Sequence, residues 1–235
     1  MYEAVHAHPD GGATVARHAS EAASLGFEGV VVRNHGDAPA EYDPRTVAEA
    51  FGVDVVEGIE VRTDDRSQAA SLVRRFREEA TLVCVHGGNP TINRYAVEEP
   101  MVDVLAHPMR GDGDVNHVLA RAAAENGVRL EFSLADVLRA DGGPRVRAIA
   151  GLRKLRELVA DAEAPFVVSA DPASHLDWRA PRELVAVGEL VGFEAEQVRE
   201  GLAEWGRLAA RNRERASESF IEPGVRRGRY EEEPR

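Results

Sequence analysis

Hydrophobic positions along the chain gather into short apolar runs, separated by stretches in which they recur every three or four residues. The runs are "EAVHAH", "GVVVRNH", "DVVEGIEV", "TLVCVHG", "VDVLAHP", "VRLEFSL" and "PFVVSAD". They are valine-rich and mostly continuous rather than strictly alternating, the pattern of parallel strands covered on both faces. The intervening stretches, among them "GATVARHASEAASLGF", "DRSQAASLVRRFREEA", "VNHVLARAAAENG" and "PRVRAIAGLRKLRELVADA", carry helical periodicity. Strand and helix alternating in this way predict an α/β protein, either a doubly wound sheet or a TIM-like (β/α) barrel of about seven parallel strands. Two extra C-terminal helices are expected around "RAPRELVAVGELVGF" and "EAEQVREGLAEWGRLAARNRERA". No Pro/Gly-rich linker interrupts the series, so residues 1–216 are expected to form one barrel domain. From Ser217 the apolar period disappears, and residues 217–235, with "VRRGR" among them, read as a flexible charged tail.

Composition narrows the picture. No apolar run approaches the roughly 20 residues of a membrane span, and the N-terminus lacks a secretory pattern, so a cytoplasmic protein is expected. The single cysteine, Cys84, excludes an internal disulfide and thiolate zinc sites, and its apolar run makes it a buried strand residue. Net charge is −12, and Lys154 is the one lysine among 29 basic residues. Such acidity suggests a chain solvated in concentrated salt, as in a halophile. It argues against nucleic-acid binding in dilute buffer, but in molar salt long-range repulsion is screened and local arginine clusters decide.

The chemistry concentrates at the strand ends. His6 and His8 end the first run and His35 the second, Glu60 lies in the third, and His86, His107 and Asp171 end the fourth, fifth and seventh. In a parallel barrel these ends open onto one face. Imidazoles and carboxylates without thiolate suit Zn²⁺, Mn²⁺ or iron, ions that polarise a phosphoryl oxygen and lower the pKa of bound water. Each residue alone also has a bland role as a hydrogen-bonded loop residue, an arginine partner or a helix cap. His18 and His117, on helical stretches, are expected at least partly on the surface.

The set resembles the polymerase-and-histidinol-phosphatase (PHP) hydrolases, barrels whose metal cluster opens with His-x-His, matched by His6 and His8. His35, Glu60, His86 and His107 continue that pattern. Its late Asp-x-His is replaced here by Asp-x-x-x-His, from Asp171 to His175. A longer resemblance, over about Tyr2 to Asn212 and densest after Val102, is to archaeal RNase P protein component 3, a family itself related to the PHP barrels. It rests on Val102–Asp103, the loop leading to "NHVLA", and "NGVRLEFSL". It continues through "GGPRVRAIAGLRKLRELV" and an Asp-x-Arg-x-Pro-Arg stretch made by Asp177, Arg179, Pro181 and Arg182.

That resemblance implies a non-catalytic subunit of ribonuclease P. The holoenzyme removes the 5′ leader of precursor tRNA by Mg²⁺-dependent chemistry carried in its catalytic RNA. It implies as partners that RNA, precursor tRNA through the complex, and other protein subunits including a smaller one. Arg110, His117, Arg179 and Arg182 are nominated for RNA contact, because arginines near helix N-termini suit phosphate oxygens; Arg145 and Arg147 are weaker candidates. Pairing of these arginines with neighbouring acids is the competing reading. Two other readings stay open: a stand-alone PHP-type metallophosphoesterase using His6, His8, His35, Glu60, His86, His107 and Asp171, and an RNase P subunit with one structural metal at the barrel mouth.

Overall fold

The structure, a computed structural model, describes residues 1–217 and the short strands Phe220–Glu222 and Val225–Arg226. Parallel strands β1 (Tyr2–Val5), β2 (Gly29–Val32), β3 (Asp54–Val61), β4 (Leu82–His86), β5 (Val104–Ala106), β6 (Arg129–Ser133) and β7 (Phe166–Ser169) form one seven-stranded sheet in sequential order. Strand β3 is the longest; Asp54–Glu57 pair with β2, and Gly58–Val61 pair with β4. Helices α1 (Val15–Leu25), α2 (Pro44–Phe51), α3 (Arg66–Glu79), α4 (Pro90–Glu98), α5 (His117–Asn126), α6 (Ala135–Arg139) and α7 (Gly142–Ala162) form the connections, and α8 (Pro181–Val191) and α9 (Ala195–Arg215) follow β7. The short helices α2 and α4 begin at Asp43-Pro44 and Asn89-Pro90, where the acid or amide side chain caps the first turn. Strands β8 (Phe220–Glu222) and β9 (Val225–Arg226) pair antiparallel, and apart from these and Ser217 the expected 217–235 tail lies outside the described residues.

The sheet curls until β1 meets β7, where side chains join the two edges. The buried Glu3 carboxylate accepts from the Ser169 hydroxyl and, at 3.1 Å, from the Ala170 amide, while the His6 amide reaches Pro172 O at 3.4 Å. Helix α9 backs this seam and crosses the N-terminal strand ends. Its Arg211 and Asn212 bond Asp103 before β5, Arg213 bonds Asp54 at the start of β3, and Glu204 receives Arg129 at the start of β6. Trp205, fully buried, donates to Val168 O at 3.0 Å and packs with Leu208 among Ala4, Val31, Val56, Cys84, Val104 and Val167. The barrel interior is therefore plugged from below and opens at the C-terminal strand ends, the face on which barrels place their sites.

Candidate metal centre and phosphate-facing rim

Alternation along the strands sets the interior. Val31 fills the barrel and Arg33, two residues on, points the same way; Cys84 stands likewise to His86, and Val56 to Glu60 four residues on. The fully buried Arg33 guanidinium lies 5.6 Å from the centroid of the Trp205 ring. Three carboxylates surround it: Glu60 at 3.1 Å, Glu131 at 2.7 Å and Asp171 at 2.9 Å. They hold Arg33 firmly charged against the opposing effect of burial, and Arg33 in turn keeps Glu60 ionised and holds Asp171 down near 2.

Above this layer, the second Glu60 oxygen faces a ring of imidazoles. Glu60 Oε1 lies 2.6 Å from His86 Nδ1, 3.3 Å from His107 Nε2 and 3.4 Å from His35 Nε2. His86 Nδ1 is also 3.1 Å from His35 Nε2 and 3.0 Å from His107 Nε2. The far nitrogens face carboxylates: His35 Nδ1 lies 2.8 Å from Asp10, and His107 Nδ1 lies 3.4 Å from Glu131. The Asp10 carboxylate holds His35 Nδ1 and turns its Nε2 toward the shared centre. Burial lowers the pKa of His107, but Glu60 and Glu131 outweigh it and raise it to about 9. His86 moves the other way, because burial and the neighbouring imidazoles prevail over Glu60. His107 and Asp171 both have left-handed backbone, at φ 31° and 51°, strain of the kind that accumulates at functional sites. Arg139 bonds the Ala170 and Asp171 carbonyls and holds the second of these turns.

Six of the seven sequence-nominated ligands thus converge. The seventh, His8, does not. The chain reverses after Ala7, whose carbonyl accepts from the Asp10 and Gly11 amides, and this turn leaves the His8 side chain exposed. Asp10 enters in its place and bonds His6 and His35, so the His-x-His pairing expected of the opening motif does not form. His175 opens a 3₁₀ turn (His175–Asp177) and makes no hydrogen bond to the cluster among the described residues. His18, expected at the surface, is fully buried and accepts from Trp178 Nε1 at 2.9 Å. Asp10, Arg33 and Glu131 were not nominated. The last two were visible as charged residues inside apolar runs, and Asp10 as the acid of a Pro-Asp-Gly turn.

The cluster divides in its fitness for metal. His35, Glu60 and His86 bring three donor atoms within reach of one another, and His107 Nε2 borders them at 3.0 Å from His86 and 3.3 Å from Glu60. His6 faces Glu60 Oε2 and Asp171 Oδ1 at 3.5 and 3.6 Å, and those same oxygens hold Arg33, so a second ion does not fit there.

At the rim, Arg110 reaches Asp136 and Asp171 at 3.6 Å and lines a cavity of about 360 Å³ that also touches His107, Glu131 and Arg147. His117 and Arg182 are exposed in the first turns of α5 and α8. Arg179 donates to Trp178 O and Leu176 O, and Arg145 to Val137 O, so backbone carbonyls satisfy part of both groups. All four primary candidates lie on connections leaving C-terminal strand ends, which puts them on the face that carries the cluster.

The RNase P subunit p30 family profile matches residues 1–217. The chain belongs to the RNase P subunit p30 family. It is 64% identical to ribonuclease P protein component 3 of Haloarcula marismortui, over 96% of each chain. It is 34% identical to the same component of Methanosarcina acetivorans, over 94% of this chain and 92% of that one. The similarity to several salt-adapted archaeal relatives accords with the acidic, lysine-poor composition. Among solved structures, a chain of an archaeal ribonuclease P with mature tRNA superposes with a TM-score of 0.83 at 23% identity, over 99% of this chain and all of that one. The histidinol phosphate phosphatase of Lactococcus lactis superposes at 0.57 and 14% identity, covering 82% and 94%, a likeness of fold alone. This chain therefore shares a barrel fold with that phosphatase, and in it an arginine sits at the centre of the barrel.

Proposed function

We propose that the chain works as a protein subunit of ribonuclease P. In this reading it assembles with the catalytic RNA and a smaller protein partner in the cytoplasm and supports removal of the 5′ leader from precursor tRNA. The Mg²⁺-dependent chemistry belongs to the RNA. The observation that carries this is the family match over residues 1–217, together with 64% identity spanning both chains of a named ribonuclease P component. The site agrees with it: Arg33 pairs with Glu60 and Asp171, two of the nominated ligands, and His8 stands outside.

The C-terminal strand face is the proposed RNA-facing side, with Arg110, His117, Arg179 and Arg182 near the starts of helices or in the loops leading to them. Arginine forks at helix N-termini suit phosphate oxygens, and in concentrated salt such local contacts outlast the repulsion of a net charge of −12. The test is reconstitution of the holoenzyme from its RNA and protein subunits. Omitting this chain should reduce precursor-tRNA cleavage, and Arg110→Ala with Arg182→Ala should weaken assembly and flatten its salt dependence by about one unit of slope per lost phosphate contact. The full chain alone, supplied with Mn²⁺, should not turn over a phosphomonoester. Turnover at enzymatic rates would favour the phosphoesterase reading instead.

A further inference from the structure

We propose that the floor of the barrel carries a second RNA contact, a groove between the ends of α3 and α9 in which Arg211 and Arg215 hold a backbone phosphate. This rests on the ribonuclease P reading and adds a face to it. The groove lies at the N-terminal strand ends, opposite the arginines nominated above.

Two basic runs of the sequence meet there. Arg77 of "VRRFRE" stands in the last turn of α3, and "RNRER", with Arg211, Arg213 and Arg215, closes α9. These four arginines line a groove of about 570 Å³ together with three acids, Glu78, Glu79 and Asp103. Over the whole chain acids outnumber arginine and lysine by 41 to 29, so the groove is a cationic island in an acidic molecule.

Most of its charges are already matched. Buried Asp103 accepts from Arg77 at 2.5 Å, Arg211 at 2.8 Å, and Asn212 and the Val83 amide at 2.9 Å. Glu79 accepts from Arg75, Arg77 also donates to the Ala80 and Thr81 carbonyls, and Arg213 is forked onto Asp54. Two donors stay open among the described residues: Nη1 of Arg211 and the whole exposed side chain of Arg215. Four residues apart, they share one face of α9. Burial lowers the pKa of Arg211 and Asp103 opposes it, while Arg129 and Arg215 add repulsion. A phosphate between Arg211 and Arg215 relieves that repulsion and accepts from both guanidinium groups.

The lining suits a nucleic-acid backbone better than a protein surface. Its apolar part is thin, Pro100, Met101 and two alanines, where a protein interface centres on a larger apolar or aromatic patch. Guanidinium groups without aromatic faces match phosphates rather than bases. Strand β8 lies against α9, and its partner β9 opens the "VRRGR" stretch, so a further basic segment of sequence follows directly on this helix. With contacts at both ends the chain bridges two RNA segments. Each contact then raises the effective concentration for the other, in salt where a lone phosphate contact fails.

Iron–EDTA tethered to one introduced cysteine of the full chain reads what lies beside each face. Ala216→Cys lines the groove, Val118→Cys is exposed on the upper face, and native Cys84 is fully buried and escapes labelling. In the reconstituted holoenzyme, radicals from position 216 should cut the ribonuclease P RNA in a segment distinct from that cut from position 118. Arg215→Ala should flatten the salt dependence of assembly by about one unit of slope, and Arg215→Lys should recover most of it, with circular dichroism confirming both folds. Three results would each overturn the floor contact and leave the ribonuclease P reading standing: RNA cutting from position 118 alone, cleavage of a protein subunit in place of RNA from position 216, or an unchanged slope in Arg215→Ala. RNA cutting from neither position would remove both.

Discussion

Arg33 is the residue on which the interior turns, because one guanidinium answers three buried carboxylates. Arg33→Met keeps the apolar stem but leaves those carboxylates without their cation, and should cost about 3–5 kcal/mol in denaturant unfolding. Glu3, at the seam, is the second telling residue. Burial raises its carboxyl to about 7 even though Ser169 and two amides favour the ionised form. A proton held more tightly in the folded state stabilises it fully below about pH 4.5, and this advantage is lost as pH rises through 7. Glu3→Gln, which cannot ionise, should therefore gain on the wild type by about 3 kcal/mol between those limits, read from unfolding midpoints across pH. His18 has the opposite sign. Burial lowers it to about 4, so its contribution is full above about pH 6.5 and fades as pH falls toward 4. In His18→Gln that acid-side slope should shrink; an unchanged slope would remove His18 as its cause. At this scale the sequence revealed polar residues that end apolar runs: His35, His86, His107 and Asp171. It showed Arg33 and Glu131 only as charged residues in apolar runs, and their places, just after β2 and inside β6, make sense only once opposite charges from other strands are seen beside them. It misplaced His8, because a turn rather than strand alternation governs the chain after Ala7.

Among the elements, α9 has the largest structural task relative to what its pattern announced. Its apolar residues mark an amphipathic helix, and nothing local says that the helix crosses the barrel floor. That placement depends on Arg129, Asp103 and Asp54, three strand-start residues that α9 meets only in the folded chain. Trp205→Ala would open a void between the floor and Arg33, and should lower stability by about 3–5 kcal/mol in equilibrium unfolding. The seven strands were legible because valine-rich runs are hard to read as anything else. Helices α2 and α4 were harder, at 8 and 9 residues with little room for periodicity, although Asp-Pro and Asn-Pro mark both starts.

For the whole molecule, a plug at the floor leaves the barrel interior open at one face, and that face carries both the ligand cluster and the nominated arginines. No helix is long and apolar enough to cross a membrane among the described residues. A net charge of −12 on 235 residues should make folding salt-dependent. Circular dichroism should report loss of structure as KCl is diluted from molar to millimolar, and an unchanged spectrum would refute this. Fold class was readable from the alternation of elements, whereas function required the longer family resemblance, since strand-end histidines alone are shared by hydrolases and by this barrel. The central claim is membership of a working ribonuclease P, and it is tested most directly by isolating the tagged chain from a halophilic archaeal host under gentle high-salt conditions. Co-purification of the ribonuclease P RNA together with precursor-tRNA 5′ cleavage is the predicted result. Recovery of the chain free of that RNA and of that activity would contradict it.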